Sequence, residues 1–522
     1  MLVAAWFGSS AGQERVSAVD SLVARFYEER GGRLAWSTAG AVSPQARAVL
    51  GALARAGAEG LDPQDYPGAA IDSLLAPGFV PDRLSRLDSL LTRAFLSYSS
   101  DVSRGRVDPQ AVDSLWRAAP HAGDLVRMLE AALDSGHVAR VLRTLPPPQP
   151  GYAALRRALE RYRASAAHGG WPIVRAGPLL EPGIRDARVA LLRRRLLAEG
   201  YTAEAEGDAD LFDGTLEAAV REFQERHGLG VDGSVGAATR RALNVPAADR
   251  VRQIALNLER WRWLPRFLGQ RYIVVNSAAF TLDVVDGAQR VLDMRAIVGR
   301  KDWPTPIVSS RITEAVFRPA WHVPRAIATS ELLRLVQRDR GYLTREGIRV
   351  FADSAAGGRE IDPATIDWHA VTESTFTYQL VQEPGPTNPL GGVRFVFWTP
   401  FDVFIHDTPL RPLFTERFRT FSHGCVRVEG AVDLATYLLP EWSVDSIRAA
   451  LTVGRERRVR VLTAIPVHLV YWTAWTDDRG EVQFRDDVYG WDRELGSVLD
   501  ARPGSPALPP VAARPPDRAC GR

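Results

Sequence analysis

Residues 271–299, RYIVVNSAAFTLDVVDGAQRVLDMRAIVG, mark a change in the period of the chain. Apolar and polar residues alternate on both sides of Asp286-Gly287, the pattern of two strands joined by a hairpin turn. GGVRFVFW, FDVFIHD, RRVRVLTAIPVHLVYWTAW and VQFRDDVYG continue the β-type pattern, which predicts a mostly-β domain. A polar, partly helical stretch at about 322–383, containing PRAIATSELLRLVQRDRGYL, separates the early strands from the late ones. So long an excursion from a sheet is expected to form a lid or capping subdomain over the active face.

Upstream the period is helical. VDSLVARFYEER, RLSRLDSLLTRAFLSYSSDV and DLVRMLEAALDSG space their apolar residues by three and four, and LPPPQPG (145–151) interrupts the helices before YAALRRALERYRASA resumes them. After GGWPIVRAGPLL come three short helices: VALLRRRLLAEGY ended by Gly200, a second opened by Asp213, and a third after Asp232. The expected class is therefore α+β multidomain. The expected segments are a tail or signal remnant (1–15), a helical scaffold (16–175), a three-helix domain (176–246), a mostly-β domain (247–495) and a disordered Pro-rich tail (496–522). His121, His137 and His168 are isolated and are read as structural.

The balance of 65 basic and 62 acidic residues leaves a net charge of +3 over 522 residues, which gives no field for nucleic acid. Lys301 is the only lysine, and the arginines are scattered rather than gathered into a patch. No apolar run has the length of a membrane span. MLVAAWFGSSAGQ ends like a signal peptide but lacks a basic start.

Only two cysteines occur, Cys520 in the Pro-rich tail and Cys425 in FSHGCVRVEG (421–430). His406 precedes Cys425 by 19 residues, and fifteen residues separate it from Ser422, enough for the chain to return and bring a base to a thiol. The apolar spacing of EGAVDLATYLL predicts a helix shortly after the cysteine, whose dipole would favour a thiolate. Gly424 has no side chain to block a substrate carbonyl, and its amide and that of Cys425 can form an oxyanion hole. Two other readings remain open here: a buried core cysteine, and a metal site of His406, His423 and Cys425, since zinc accepts imidazole and thiolate.

His406 and SHGCVR (422–427) resemble the signature of the L,D-transpeptidases, enzymes that cross-link peptidoglycan. VQEPGPTNPLGGVRFVFWTPFDVFIHDTP and LFTERFRTFSHGCVRV resemble the large multidomain members, which add a scaffold and a peptidoglycan-binding domain. The three-helix segment is similar to the type-one peptidoglycan-binding domain through Gly200-Tyr201, Asp213-Gly214-Thr215, Phe223-Gln224, Gly228-Leu229, Asp232-Gly233, Gly236 and Thr239. The resemblance implies that Cys425 attacks a donor tetrapeptide stem after His406 takes its proton, with a backbone carbonyl such as that of Asp407 orienting the ring. It implies an oxyanion site of the His423, Gly424 and Cys425 amides, loss of D-alanine, and a 3→3 cross-link. Ser422 and Arg427 are candidates for substrate contact or loop support, and Asn388 and Gly391 for contact with the stem peptide. Peptidoglycan stem peptides and glycan would be the partners, carbapenems inhibitors, and the periplasm or cell envelope the location, with no metal or other cofactor. Hydrolysis at the same cysteine, as an L,D-carboxypeptidase or cross-link hydrolase, and a non-catalytic wall-binding scaffold are the alternative functions.

Overall fold

The computed structural model describes residues 18–38, 41–76, 82–119, 123–205, 207–352 and 358–501. The expected N-terminal tail, His121 and Cys520 lie outside these residues. Contacts divide the chain into two units: one runs to Phe267 and resumes at Tyr471, and the other is Leu268–Val470.

Two cores stand out among the described residues of the first unit. In the scaffold, helices including α1 (Pro44–Ala54), α2 (Asp82–Arg104) and α3 (Leu125–Asp134) bury Phe26, Trp36, Leu53, Leu91, Phe95 and Leu129. After the proline run, α4 (Pro150–Ala167) starts with Pro150 in its first turn, where the missing N–H costs nothing. The second core belongs to α5 (Ala187–Leu197), α6 (Gly214–Arg226) and α7 (Ala237–Leu243), which bury Leu192, Leu196, Leu216, Phe223 and Leu243. Asp186 and Asp213 cap the first two by accepting from Arg188 N and Leu216 N. Gln224 explains why this pattern recurs: fully buried, it donates to Asp232, Ser234 O and Thr239 and accepts from Gly233 N, tying the Asp-Gly turn to two helices.

One expected boundary moves. Helix α8 (Ala247–Trp261) packs on α4, and the segment after Val470 returns to it, with Trp472 stacked 4.3 Å from Trp261 and Thr473 bonded to Asn257. Residues 471–500 therefore pack with the helical unit instead of the sheet, because their aromatic side chains find the apolar face of α8. Residues 496–500 of the expected disordered tail are instead the end of a helix, Trp491–Asp500, and residues 502–522 lie outside the described residues.

The second unit is built on β1 (Arg271–Asn276), β2 (Thr281–Asp286), β3 (Gln289–Gly299), β4 (Val308–Phe317), β5 (Val393–Phe397), β6 (Ile405–His406), β7 (Thr420–Ser422), β8 (Val426–Val428) and β9 (Arg457–Val470). Their order is β7-β3-β8-β6-β5-β4-β9-β1-β2, and β2 also pairs with β3, so the sheet closes on itself and leaves only β7 outside the ring. Alternation sends Val393, Phe395, Ile405, Val426 and Val428 into the interior. Between β4 and β5, residues 321–382 form a separate four-stranded sheet with short helices around its own core of Val323, Leu333, Leu343, Trp368 and Leu380. Among the described residues no helix is long and apolar enough to cross a membrane.

Candidate active site

Register decides which side chains meet. His406 on β6 lies opposite Arg427 on β8 in a parallel pair, and opposite Arg394 on β5 in an antiparallel one. Directly opposed residues share a face, so Arg394, His406 and Arg427 form one row across three strands. Cys425 precedes Arg427 by two residues, and Val426 N donates to Phe404 O, which places the cysteine beside the strand that carries the histidine. Cys425 is a free thiol, and the residue is half-buried.

His406 is only 3% exposed. Its Nδ1 is 2.6 Å from the Asp407 carbonyl, which can only accept, so Nδ1 carries the proton and Nε2 keeps its lone pair. Asp407 is itself held, its carboxylate accepting from Gly392 N at 2.9 Å and Arg411 at 2.8 Å. Burial, with Arg427 and Arg394 acting in the same direction, holds the His406 pKa at about 3 against the raising effect of the Asp407 and Leu390 backbone. Burial raises the Cys425 thiol, and the Phe404 backbone, Arg427 and Arg394 oppose that rise.

The loop around the nucleophile candidate is fixed from beneath. Gly424 has φ +101°, in the range that favours glycine, and its carbonyl accepts from Thr305 Oγ1 at 2.8 Å. Thr305 also accepts from Gly299 N at 2.9 Å, fastening the loop to the end of β3. Ser422 is buried, and its hydroxyl bonds Cys425 O at 2.5 Å and Gly424 N at 3.2 Å. It shapes the loop, on which its hydroxyl is spent. The same bond engages the Gly424 amide and removes it from the expected oxyanion set. The expected helix starts only at Ala431, with β8 in between, so its dipole is not at the sulfur.

His423 turns to the capping subdomain, with Nε2 2.7 Å from Glu331 Oε1. Arg300 reaches the same oxygen at 3.0 Å, and Trp303 meets the His423 ring edge-on at 5.2 Å. Burial of Glu331 acts to raise its pKa, but the hydrogen bonds from His423 and Arg300 hold it below the usual carboxylate range. Asn388 is fully buried, donating to Pro319 O and Glu383 O and accepting from Leu390 N. Its polar atoms are spent on the turn, so the expected contact with a stem peptide does not hold for this side chain. Gly391, at φ +61°, lets the backbone pass against Asp407, where a Cβ would come within 2.5 Å of the carboxylate. Among the described residues no group of three or more His, Cys, Asp or Glu is placed to hold a metal ion.

Sequence reasoning passed over Thr305, Glu331 and Arg394. None stands in a motif with the cysteine; for Arg394 the available signal was its place in VRFVF, one strand before His406.

Residues 270–459 match the model of the L,D-transpeptidase catalytic domain, residues 21–159 that of a "Scaffold domain", and residues 185–243 that of a "Putative peptidoglycan binding domain". The sheet unit thus contains a segment that resembles the L,D-transpeptidase catalytic domain. A Haemophilus influenzae protein named "Putative L,D-transpeptidase" is 31% identical over 245 residues, 47% of this chain and 48% of the relative. The "N-acetylmuramoyl-L-alanine amidase CwlM" of Mycobacterium tuberculosis is 44% identical over 75 residues, 13% of this chain and 18% of the relative. The chain thus spans about half the length of the first relative and less than a fifth of the second. The solved L,D-transpeptidase of Stackebrandtia nassauensis is 13% identical at a TM-score of 0.22, over 57% of this chain and 96% of that one. At that score the likeness adds nothing to the fold described above.

Proposed function

We propose that this protein is a cell-envelope L,D-transpeptidase that makes 3→3 peptidoglycan cross-links through a thioester on Cys425. The observation that carries the reading is the arrangement of His406: its Nδ1 donates to the Asp407 carbonyl, which makes Nε2 the basic nitrogen of the ring, on the strand beside the cysteine loop. The Cys425 proton passes to Nε2 while sulfur bonds to the carbonyl carbon of the third residue of a donor tetrapeptide stem. The amides of His423 and Cys425 stabilise the oxyanion, each such donor being worth roughly 3 kcal/mol. The C–N bond then breaks, the proton goes to the leaving nitrogen and D-alanine departs. A side-chain amine of a second stem attacks the thioester, its lost proton returning through His406, and frees the thiol.

The peptidoglycan-binding domain supports a murein partner and a place outside the cytoplasm. The Cys425 thiol is the group a carbapenem would acylate. Hydrolysis by water at the same thioester is the second reading, favoured to the extent that the cap admits water.

Incubation of the full chain with tetrapeptide muropeptides, followed by mass spectrometry, tests this. A dimer lacking one D-alanine is expected. A shortened monomer alone would replace transfer by carboxypeptidase action, and no change in mass would leave a wall-binding scaffold. Cys425→Ala is expected to abolish both products with the fold intact, and turnover surviving in that variant would remove the nucleophile assignment.

A further inference from the structure

Arg394 has no task in the chemistry above, yet it is the residue opposite His406. Its guanidinium lies over the Phe404 ring, 5.1 Å from the centroid, and Phe404 O receives the amide next to Cys425. Arg427 stands on the other side of His406 in the same row. Among the described residues neither arginine makes an ion pair, although each is largely enclosed and each has an Nε without a hydrogen-bond partner. A partly enclosed guanidinium without a carboxylate is costly, so two of them flanking His406 call for an anion. Glu456, Arg458 and Glu314 also act on Arg394, Glu456 more strongly than Cys425 does, and Asp402 acts on the cysteine. The charge that acts on both arginines is that of Cys425.

We propose that Arg394 and Arg427 are the counter-charges of the Cys425 thiolate, and that His406 relays the thiol proton as a neutral base without forming a lasting imidazolium. Two cations on this face stabilise a sulfur anion and repel a charged ring, so the electrostatics separate the roles of sulfur and imidazole. The thiol proton crosses to His406 Nε2 and stays there only until the C–N bond breaks and the leaving amine takes it, while the negative charge left on sulfur is held by the guanidiniums until the S–C bond forms. The inference rests on Cys425 being the nucleophile.

The test is the pH profile of Cys425 alkylation by iodoacetamide in the full chain, with Cys520→Ser leaving one thiol. Arg394→Gln and Arg427→Gln are each expected to move the midpoint up by about one pH unit, and Arg394→Lys to restore most of it. Unmoved midpoints would overturn the proposal. Unmoved midpoints with a raised KM for tetrapeptide stems would instead make the pair a seat for a substrate carboxylate. His406→Asn supplies a check that does not depend on the arginine variants folding: the thiolate absorbance should titrate close to the parent midpoint. An upward shift of a unit or more would make imidazolium the counter-charge and sink the idea. Alkylation needs no peptidoglycan, so it judges the arginines even if the transferase reading fails, and activity surviving in Cys425→Ala would fail that reading alone.

Discussion

The three-helix domain and the nine-stranded sheet both enclose arginine and histidine, and they treat the charges in opposite ways. In the former, Arg195 Nη1 sits 2.8 Å from Glu199 Oε2 with both side chains at 1% exposure or less. Tyr162 donates to the same carboxylate at 2.6 Å, and Trp171 stacks 4.0 Å from the Arg195 guanidinium. Burial acts to raise the Glu199 pKa, but Arg195 and His227 outweigh it and hold the group at about 2. In the sheet, the row of Arg394, His406 and Arg427 contains no carboxylate at all. The closed cluster is a fastening, since its charges are mutually compensated. The open row retains unneutralised positive charge beside a thiol, which is the arrangement expected of a site that meets an anion formed during reaction.

Removing one member from each cluster should separate the two cases most widely. Glu199→Ala leaves a buried guanidinium without its carboxylate and is expected to destabilise the helical unit by about 3–5 kcal/mol, read as a fall in the melting transition. Arg427→Met removes a charge that has no partner to lose and should leave the melting transition unchanged or higher while acyl transfer falls. Equal losses of stability in the two variants would erase the distinction.

Acid should act on both regions with the same sign. His406 has a folded pKa of about 3 against about 6.5 unfolded, so the unfolded chain binds the extra proton in between. Stability is therefore complete above about pH 6.5 and declines as pH falls toward 3. His227, stacked 3.8 Å from Phe223, is also held well below its ordinary value, first by burial and then by Arg250, so it adds to the same decline. His406→Asn should flatten the acid side of the melting curve in proportion to its share. A curve that keeps its slope in that variant would assign the acid sensitivity to His227 and to groups such as Glu199.

Much of this was legible in the chain because it depends on local rules. The cap at Asp213, the proline break before α4, the hairpin at Asp286-Gly287 and the pairing of His406 with the SHGC loop follow from spacing and from the few residues suited to each position. What was hidden depends on register and on long-range packing. Arg394 in VRFVF reads as an ordinary outward residue until β6 is laid against β5, and strand order is not written in alternation. Asn388 reads as a polar loop residue available to substrate, because sequence does not tell that three backbone carbonyls converge on its amide. The segment 471–500 reads as more sheet, yet its aromatics belong with Trp261.

The smallest effect is expected at Glu331, which lies between the two styles of charge: paired, but only partly buried. It stands in a π-turn, Ala328–Leu332, of the capping subdomain and joins that subdomain to His423 on the nucleophile loop. Because its carboxylate is a third exposed, water screens the pair, and Glu331→Gln should cost no more than about 1 kcal/mol of stability. Its folded pKa lies below the unfolded value, so the tie is complete above about pH 4.3 and is lost as pH falls through the lowered value. The more informative readout is the ratio of products. A cap held less firmly admits more water, so Glu331→Gln should raise the share of shortened monomer over cross-linked dimer, with faster hydrogen exchange in residues 321–352. An unchanged ratio together with faster exchange would show that this tie orders the cap without deciding which acceptor reaches the thioester.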